Sequence, residues 1–496
     1  MFESYFFDKH MLTNYRVFRV MKALSTSSFT VTRLAEVVGL SYAQTYAAFQ
    51  AIMKDLQSLG IVPETAVNEV TFQHIAKAIT VDQYRLHLLD QSPSFNLFRY
   101  LFTAPVPNVH EFCADHHYNI TTLRRRAAAY KRYLASCHIT LNTSTWALEG
   151  AEVQIRLAME TFFLLGYRGN GWPFTAALDA TVRDHLARLT PAVRQQWFIP
   201  LASAMQDRMR LACQLLRQRQ GHLLPELPAL SYLEQAEKRP LPPLFTADEL
   251  SDVHRQTETL FYCFMQLHSL SFDLQPTPAT SWLLSRFGAL EVAPVAYAKG
   301  LVAWLDQHEQ ALGGEPANND RMLANLYRIA YSFAVVGTNF SRRVDFYSSD
   351  ELGSDHGALA SCINAYAAQL PTTGVLGEFH DLAPLMTTGL FLTTARCYPQ
   401  LNTDHCLKVA TLVDPGTFAI RDLLQFLAGI QFVKLVAPAD YREADLIITT
   451  LVDPADAGTE LRPDTPVIHW QTTATDNDYF RLYTALQTAC ERHNRR

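Results

Sequence analysis

Three consecutive arginines, Arg124, Arg125 and Arg126, followed closely by Lys131 and Arg132, are the residues of this 496-residue chain whose types and spacing most directly suggest chemistry. A guanidinium group presents a planar fork of donors to phosphate oxygens, so a run of such cations describes a surface for a polyanionic backbone. A second set is uncharged: Ser41, Tyr42, Gln44 and Thr45, with Thr121 and Thr122 repeating the type just ahead of the arginines. Hydroxyl and amide side chains of this kind suit phosphate contacts and the edges of bases. Each set also has a plain structural reading, a solvated basic face for the first and the cap of an ordinary helical hairpin for the second.

Both sets need a helix to hold them. Ile120, Leu123, Ala127, Tyr130 and Leu134 recur at intervals of three and four, giving one apolar stripe with the cations opposite. Asn119 stands where an N-cap is required. Ahead of it, Val109, Phe112 and Cys113 belong to a shorter helix that breaks at His117-Tyr118, and the whole reads as a helix-turn-helix. The same pattern occurs upstream. Tyr15, Phe18, Met21 and Leu24 mark a helix stopped by Thr26-Ser27-Ser28. Leu34 and Ala35 then pack inward, Gly39 supplies a left-handed turn, Leu40 plugs the corner and Ser41 caps a helix with stripe Tyr46, Phe49, Ile52, Met53 and Leu56.

LAEVVGLS at 34–41 aligns with FCADHHYN at 112–119 without a gap, and two tandem copies are harder to obtain by accident than one. His117 takes the glycine slot, which histidine tolerates better than most residues. His116 and His117 are adjacent on a helix end and point apart, so they read as turn residues rather than metal ligands. CHITL (137–141) and WALEG (146–150) flank NTST as a wing-like hairpin.

Apolar residues make up 48% and charged residues 18%, enough for ordinary cores in about three to five domains at roughly 100–200 residues each. No apolar run of membrane-spanning length occurs, and MFESYFFDKHMLTNYR lacks the basic and apolar regions of a signal peptide, so the expectation is a cytoplasmic protein. The eight cysteines form no CxxC pair, which argues against a zinc site or a disulfide framework; no metal and no cofactor is expected. Residues 1–150 carry 14 Lys and Arg against 11 Asp and Glu, and the remainder 28 against 37, so +3 and −9 make up the net −6. A mildly basic front on an acidic body fits nucleic-acid binding at one end.

After the hairpin come AEVQIRLAMETFFLLGY and RGNGWPF. A basic recognition helix, a hairpin ending in Leu148-x-Gly150, then Glu152-x-x-Ile155-Arg156 before an aromatic helix and Trp172-Pro173-Phe174, resembles the Mga/AtxA family of Gram-positive transcription regulators. The resemblance implies a multidomain, mainly α chain: two N-terminal winged helix-turn-helix domains (1–70 and 71–152), two helical PTS-regulation domains (153–275 and 276–400) and a C-terminal α/β domain like phosphotransferase IIB (401–496). Phosphorylation of a histidine by PTS phosphocarrier proteins is the control such domains imply. His185, His254, His268, His308, His356 and His380 are available. The implied register, however, puts Gln196 and a position near Gly389 where the family carries its histidines. His380, in GEFHDL, is the candidate retained for phosphorylation.

From the residues themselves, 175–395 are mostly helical between proline-rich breaks, and Thr246 with Glu249 is expected to box the start of a helix through Val253, Leu260, Phe264 and Leu267. Strands are expected at 407–413, 432–436, 446–452 and 466–470, with helices at 415–429 and 479–493, as in a small, largely parallel sheet. A catalytic IIB protein carries a cysteine after its first strand, whereas the loop here is Val413-Asp414-Pro415-Gly416-Thr417.

The reading that follows is a transcription regulator, an activator by its resemblance. It binds duplex DNA as a homodimer or higher oligomer, joined through its C-terminal domain, without a membrane partner. An RNA-binding antiterminator is the alternative, since PTS-regulation domains occur there too. Twin helix-turn-helix copies favour duplex DNA, because RNA readers generally use stacking surfaces or loop clamps. An enzyme of phosphoryl transfer is the third reading, opposed by the absent loop cysteine and the lack of a P-loop or GxGxxG.

Overall fold

The structure is a computed structural model. It describes the chain apart from residues 24–29, 63–77, 189–203, 239–240, 242, 272–276, 313–318, 347–356, 399–405, 414–417, 431, 451–464, 472–473 and 494–496. Leu24 and the expected helix stop at 26–28, together with Gln196, His356 and most of the 413–417 loop, therefore lie outside the described residues. The chain divides into two compact units, one built from 1–300, 320–348 and 367–390, the other from 301–319, 349–366 and 391–496.

The first unit opens with a single 3-10 turn at Phe2–Tyr5, then α1 (Lys9–Ala23), α2 (Val31–Val38) and α3 (Tyr42–Ser58). Next come α4 (Val81–Asp90), α5 (Pro93–Thr103), α6 (Val109–Asp115) and α7 (Ile120–Ser136). A hairpin of β1 (Thr140–Leu141) and β2 (Leu148–Glu149) follows, pairing Thr140 with Glu149 and Leu141 with Leu148. Its turn is fixed by Asn142, whose Oδ1 accepts from Ser144 N at 2.9 Å and Thr145 N at 3.2 Å. The glycine that ends the hairpin is dictated by space, since a Cβ on Gly150 would lie 2.8 Å from the His138 carbonyl oxygen.

The two helix-turn-helix units are not separate bodies. One buried apolar cluster runs from Phe2, Phe6 and Phe7 through Phe18, Ile52 and Leu56 to Tyr84, Phe98, Leu123, Tyr130 and Phe162. That last ring belongs to α8 (Glu152–Tyr167). Arg85 is fully buried beside this cluster and donates to the terminal carbonyls of α8, Gly166 O at 2.8 Å and Leu165 O at 2.6 Å, while pairing with Glu3. Burial works against the Glu3 carboxylate, but Arg85 and Arg168 outweigh it and hold its pKa below the usual range.

Behind α8 lie α9 (Ala176–Arg188), α10 (Ala204–Arg219), the short α11 (Tyr232–Glu237) and α12 (Asp252–Leu267). Their contact surface is ionic at its centre. Arg156 forks onto Glu258 at 2.6 and 2.9 Å and reaches Glu152 at 2.9 Å, Arg217 pairs with Glu152 at 2.7 Å, and Glu160 takes Arg210 at 2.6 Å and His268 at 3.1 Å. Glu152 and Arg156, singled out by their motif, are thus partners in this network, Arg156 buried and Glu152 half-buried. The helix at 252 starts later than its expected box. Thr246 and Glu249 close a turn, with Thr246 N donating to Glu249 Oε2 at 2.7 Å, and Ser251 occupies the N-cap position. Val253, expected in the stripe, is exposed because the apolar face begins one turn later at Thr257.

The remaining helices are α13 (Pro278–Ser285), α14 (Ala293–Gln307), α15 (Asn319–Val336), α16 (Gly357–Ala368) and α17 (Phe379–Thr394). In the second unit, β3 (Leu407–Leu412), α18 (Phe418–Ala428), β4 (Val433–Val436), β5 (Leu446–Thr449), β6 (Val467–His469) and α19 (Asp476–His493) form a sheet of order β4-β3-β5-β6, every pairing parallel. Leu407, Val409, Leu446 and Ile448 bury one face of it under Leu423, Leu427, Leu482 and Leu486. Among the described residues no helix is long and apolar enough to cross a membrane.

Candidate nucleic-acid interface

The two helix-turn-helix corners share a left-handed turn residue and one of their two turn hydrogen bonds. Gly39 has φ +71° and His117 φ +55°, the left-handed conformation the turn demands. In the first corner Gly39 N and Leu40 N both donate to Ala35 O, at 2.9 and 3.1 Å. In the second, Tyr118 N donates to Cys113 O at 2.8 Å, the matching bond, and His117 N to Ala114 O at 3.3 Å. His116 lies against the rings of Phe112 and Tyr118, centroids 4.5 and 5.6 Å away, so it is a packing residue of the turn. Among the described residues no cluster of His, Cys, Asp or Glu is arranged to hold a metal ion.

The second helix of each pair is capped by the residue its sequence offers. Ser41 and Gln44 form a complete capping box on α3. On α7 the Asn119 Oδ1 accepts from Thr121 N at 3.0 Å and Thr122 N at 3.2 Å. Ser41, Tyr42, Gln44, Thr121 and Thr122 are exposed at the helix starts. Thr45 is not. Its side chain is fully buried and its hydroxyl donates to Ser41 O at 3.0 Å, which removes it from any contact surface. Tyr46, expected in the stripe, is 46% exposed. The buried positions are Thr45, Ala48, Ile52, Met53 and Leu56, so the small residues Thr45 and Ala48 face inward while the tyrosine points out. Tyr42, 57% exposed, and Tyr46 lie parallel, ring planes 8° apart and centroids 6.1 Å apart.

On α7 the stripe holds as read: Leu123, Ala127, Tyr130 and Leu134 are buried and Ile120 half-buried. The three arginines are all exposed but differently held. Arg124 donates from Nη2 to Thr143 O at 3.3 Å in the wing turn and lies over the Trp146 ring at 5.5 Å, so the wing fixes its direction. Arg126 approaches Asp8 at 3.6 Å, an exposed pair of little energetic weight. Arg125 and Arg132 are exposed and Lys131 half-buried, and none of the three has an ion-pair partner among the described residues.

Further along the same helix, Tyr133 has a role the spacing gave no hint of. Its hydroxyl lies 2.8 Å from Ser341 Oγ and 3.0 Å from Asp345 Oδ2, more than two hundred residues away in sequence. Burial, with the Asp345 carboxylate beside it, pushes this phenol well above its ordinary pKa. The same two causes push the neighbouring Cys137 thiol up to about 11, leaving it protonated and inert at neutral pH.

The candidate histidines are placed as follows. His380 is exposed, with Nδ1 2.9 Å from Asp381 Oδ1. His185 and His268 are held against Glu249 and Glu160 at 3.2 and 3.1 Å, and His308 Nδ1 meets Trp304 O at 2.7 Å. His254 is at hydrogen-bond distance from Ser251.

Residues 77–163 match the family model of the Mga helix-turn-helix domain. That stretch contains the second corner, the cationic helix, the wing and most of α8, including Leu148, Gly150, Glu152, Ile155 and Arg156; Trp172-Pro173-Phe174 falls outside it. No curated protein matches the chain.

Proposed function

We propose that this chain is a DNA-binding transcription regulator of the Mga type, with α7 as the helix that meets the duplex. The observation that carries the reading is the coincidence of a Mga helix-turn-helix match with Arg125 and Arg132 on the outer side of its capped second helix and the half-buried Lys131 on its flank. These cations neutralise phosphates, and Arg124, held by the wing, extends the row. Thr121, Thr122, Ser41, Tyr42 and Gln44 contribute backbone and base contacts from the two helix starts. Few of these are the bidentate readers of guanine or adenine, so sequence preference is broad and owes much to duplex shape.

The rest of the reading extends the same argument. The helices from α8 to α17 serve as regulatory, PTS-regulation-like domains, and the parallel sheet of order β4-β3-β5-β6 as a IIB-like domain. The absence of a cysteine in its first loop favours a regulatory or dimerising role over phosphoryl carriage. Activation of transcription, a homodimer or higher oligomer through that domain, and contact with phosphocarrier proteins through His380 complete the proposal. Catalysis has no part in it.

Fluorescence anisotropy with a labelled duplex, titrated at several salt concentrations, tests the central claim. Affinity falls with salt at a slope of roughly −0.9 per phosphate engaged. An RNA hairpin bound more tightly than duplex DNA at the same salt would transfer the assignment to an RNA-binding antiterminator.

A further inference from the structure

The end of α7 is held by a segment from far along the chain. α15 stops at Val336, and Gly337, at φ +74°, turns the chain back with its N–H donating to Phe333 O at 2.7 Å. Residues 338–346 then run onto the second helix-turn-helix and the start of α8. Thr338 Oγ1 lies 3.0 Å from His138 Nε2. Asn339 donates to Ser136 O at 2.8 Å, satisfying one of the carbonyls left open at the end of α7, and accepts from Gln154 Nε2 at 3.1 Å. Ser341 and Asp345 bracket the Tyr133 hydroxyl, and the Ser341 carbonyl accepts from Thr161 at 3.3 Å. Phe346 finishes the run inside the aromatic core, 6% exposed, its centroid 4.7 Å from Tyr133, 5.4 Å from Phe2 and 5.5 Å from Tyr5.

The same segment is anchored at its back. Arg342 pairs with Asp345 at 3.0 Å, lies over the Phe333 ring of α15 at 5.3 Å and donates to Leu385 O of α17 at 3.4 Å. Arg343 reaches Gln206 of α10 at 3.4 Å. One carboxylate, Asp345, therefore joins an arginine tied to α15 and α17 with a tyrosine of the cationic helix. A segment that merely filled space would need only the Phe346 ring. Here the polar contacts fall on the last turns of α7, beside Lys131 and Arg132.

We infer that residues 338–346 are a coupling strap, through which the helices following the DNA-reading module set the position of α7 on the duplex. The inference rests on the DNA-binding reading above, and it names the route by which that binding is regulated. Coupling of this kind is reciprocal: if the strap shifts affinity for DNA, DNA must shift the protection of the strap.

Hydrogen exchange on the full-length chain, with and without duplex DNA, reads both directions. DNA slows exchange of the amides at 338–346 by about 5-fold or more, the scale of a coupling near 1 kcal/mol. Tyr133→Phe keeps the ring and loses the bridge to Ser341 and Asp345; it speeds exchange over 130–138 and weakens DNA binding by about 5-fold, with the salt slope unchanged because every cation remains. Asp345→Asn, altered on the strap side, gives the same pattern. Unchanged DNA affinity in both variants while exchange over 130–138 rises would overturn the coupling. So would strap amides indifferent to bound DNA. A wild-type chain without salt-dependent DNA binding would instead sink the DNA reading, whatever the exchange shows.

Discussion

The two helix-turn-helix corners share their turn, their caps and even one hydrophobic cluster, yet they present opposite surfaces. α3 exposes Tyr42, Ala43, Gln44, Tyr46, Ala47 and Gln50, and the stacked tyrosines make its first half flat and uncharged; its one cation, Lys54, lies toward the far end. α7 exposes Arg124, Arg125, Arg126 and Arg132 along with its two threonines. The backbone of the motif thus fixes where a helix start is offered, while the outer residues decide what it is offered to. In the proposed complex the cations of α7 would attract the duplex by charge alone, without regard to base sequence, leaving any base contact on that helix to Thr121 and Thr122. The start of α3 would offer the proposed duplex short-range contacts, to thymine methyls, base edges or sugar, and on this reading these would carry discrimination. Support differs as well. The first corner leans on α4 through apolar side chains and through Asp55, which accepts from the Tyr84 hydroxyl at 2.8 Å, whereas behind the second stand the buried charges of α8 and the 338–346 segment.

The largest expected effect breaks that support. Glu258→Gln removes the forked partner of Arg156 and costs about 3–5 kcal/mol, read as a lower urea midpoint. Acid reaches the same network. Burial opposes the carboxylates of Glu160 and Glu258, but His268 and Arg210 around the first, and Arg156 around the second, outweigh it and lower both pKa values from the ordinary 4.5. Carboxyls depressed in the folded state stabilise above their unfolded pKa and lose that contribution as pH falls through the folded value. Urea midpoints should therefore hold above pH 4.5 and decline progressively below it.

Next in size, replacing Arg125, Lys131 and Arg132 together by Ala weakens duplex binding on the order of 10²-fold and flattens the salt slope by about 0.9 for each phosphate lost. Tyr42→Ala with Tyr46→Ala changes the ranking of duplex sequences and leaves that slope alone; a flattened slope there would erase the distinction between the two helices. The turn residues give a smaller pair. Gly39→Ala costs about 1–2 kcal/mol at its positive φ, with open space around the added carbon, whereas His117→Gly is neutral or slightly stabilising. Smallest is Tyr130→Phe: among the described residues its buried hydroxyl meets no hydrogen-bond partner, so its loss is neutral or raises stability by up to about 1 kcal/mol in thermal melts.

Local chemistry was well written in the sequence. The caps at Ser41 and Asn119, the left-handed slots at Gly39 and His117, the hairpin and the order along the chain of the strands in the parallel sheet all depend on a few neighbouring residues and stand as expected, although the third strand ends at Thr449, short of the expected 452. Failures came where packing chose between residues of similar periodicity. Thr45 and Tyr46 are adjacent, an aromatic ring suggests burial, yet the fold buries the smaller side chain and leaves the ring outside. At 246–252 the box residues were present, but Ser251 offered a second start and the apolar face sided with it. The hold on Tyr133 was illegible for another reason: its partners at 341 and 345 carry no periodicity that points back to residue 133.

The phenylalanines at the amino end have a practical corollary. Phe2 and Phe6 pack against Phe95, Tyr130 and Phe162, side chains that belong to the later half of the amino-terminal module. A hybrid that grafted a homologue's opening sixty residues onto this chain would swap the filling of the downstream cavity as well. Trimming the first eight would leave a hole beneath the arginine helix, far from the residues removed in any reading of the gene.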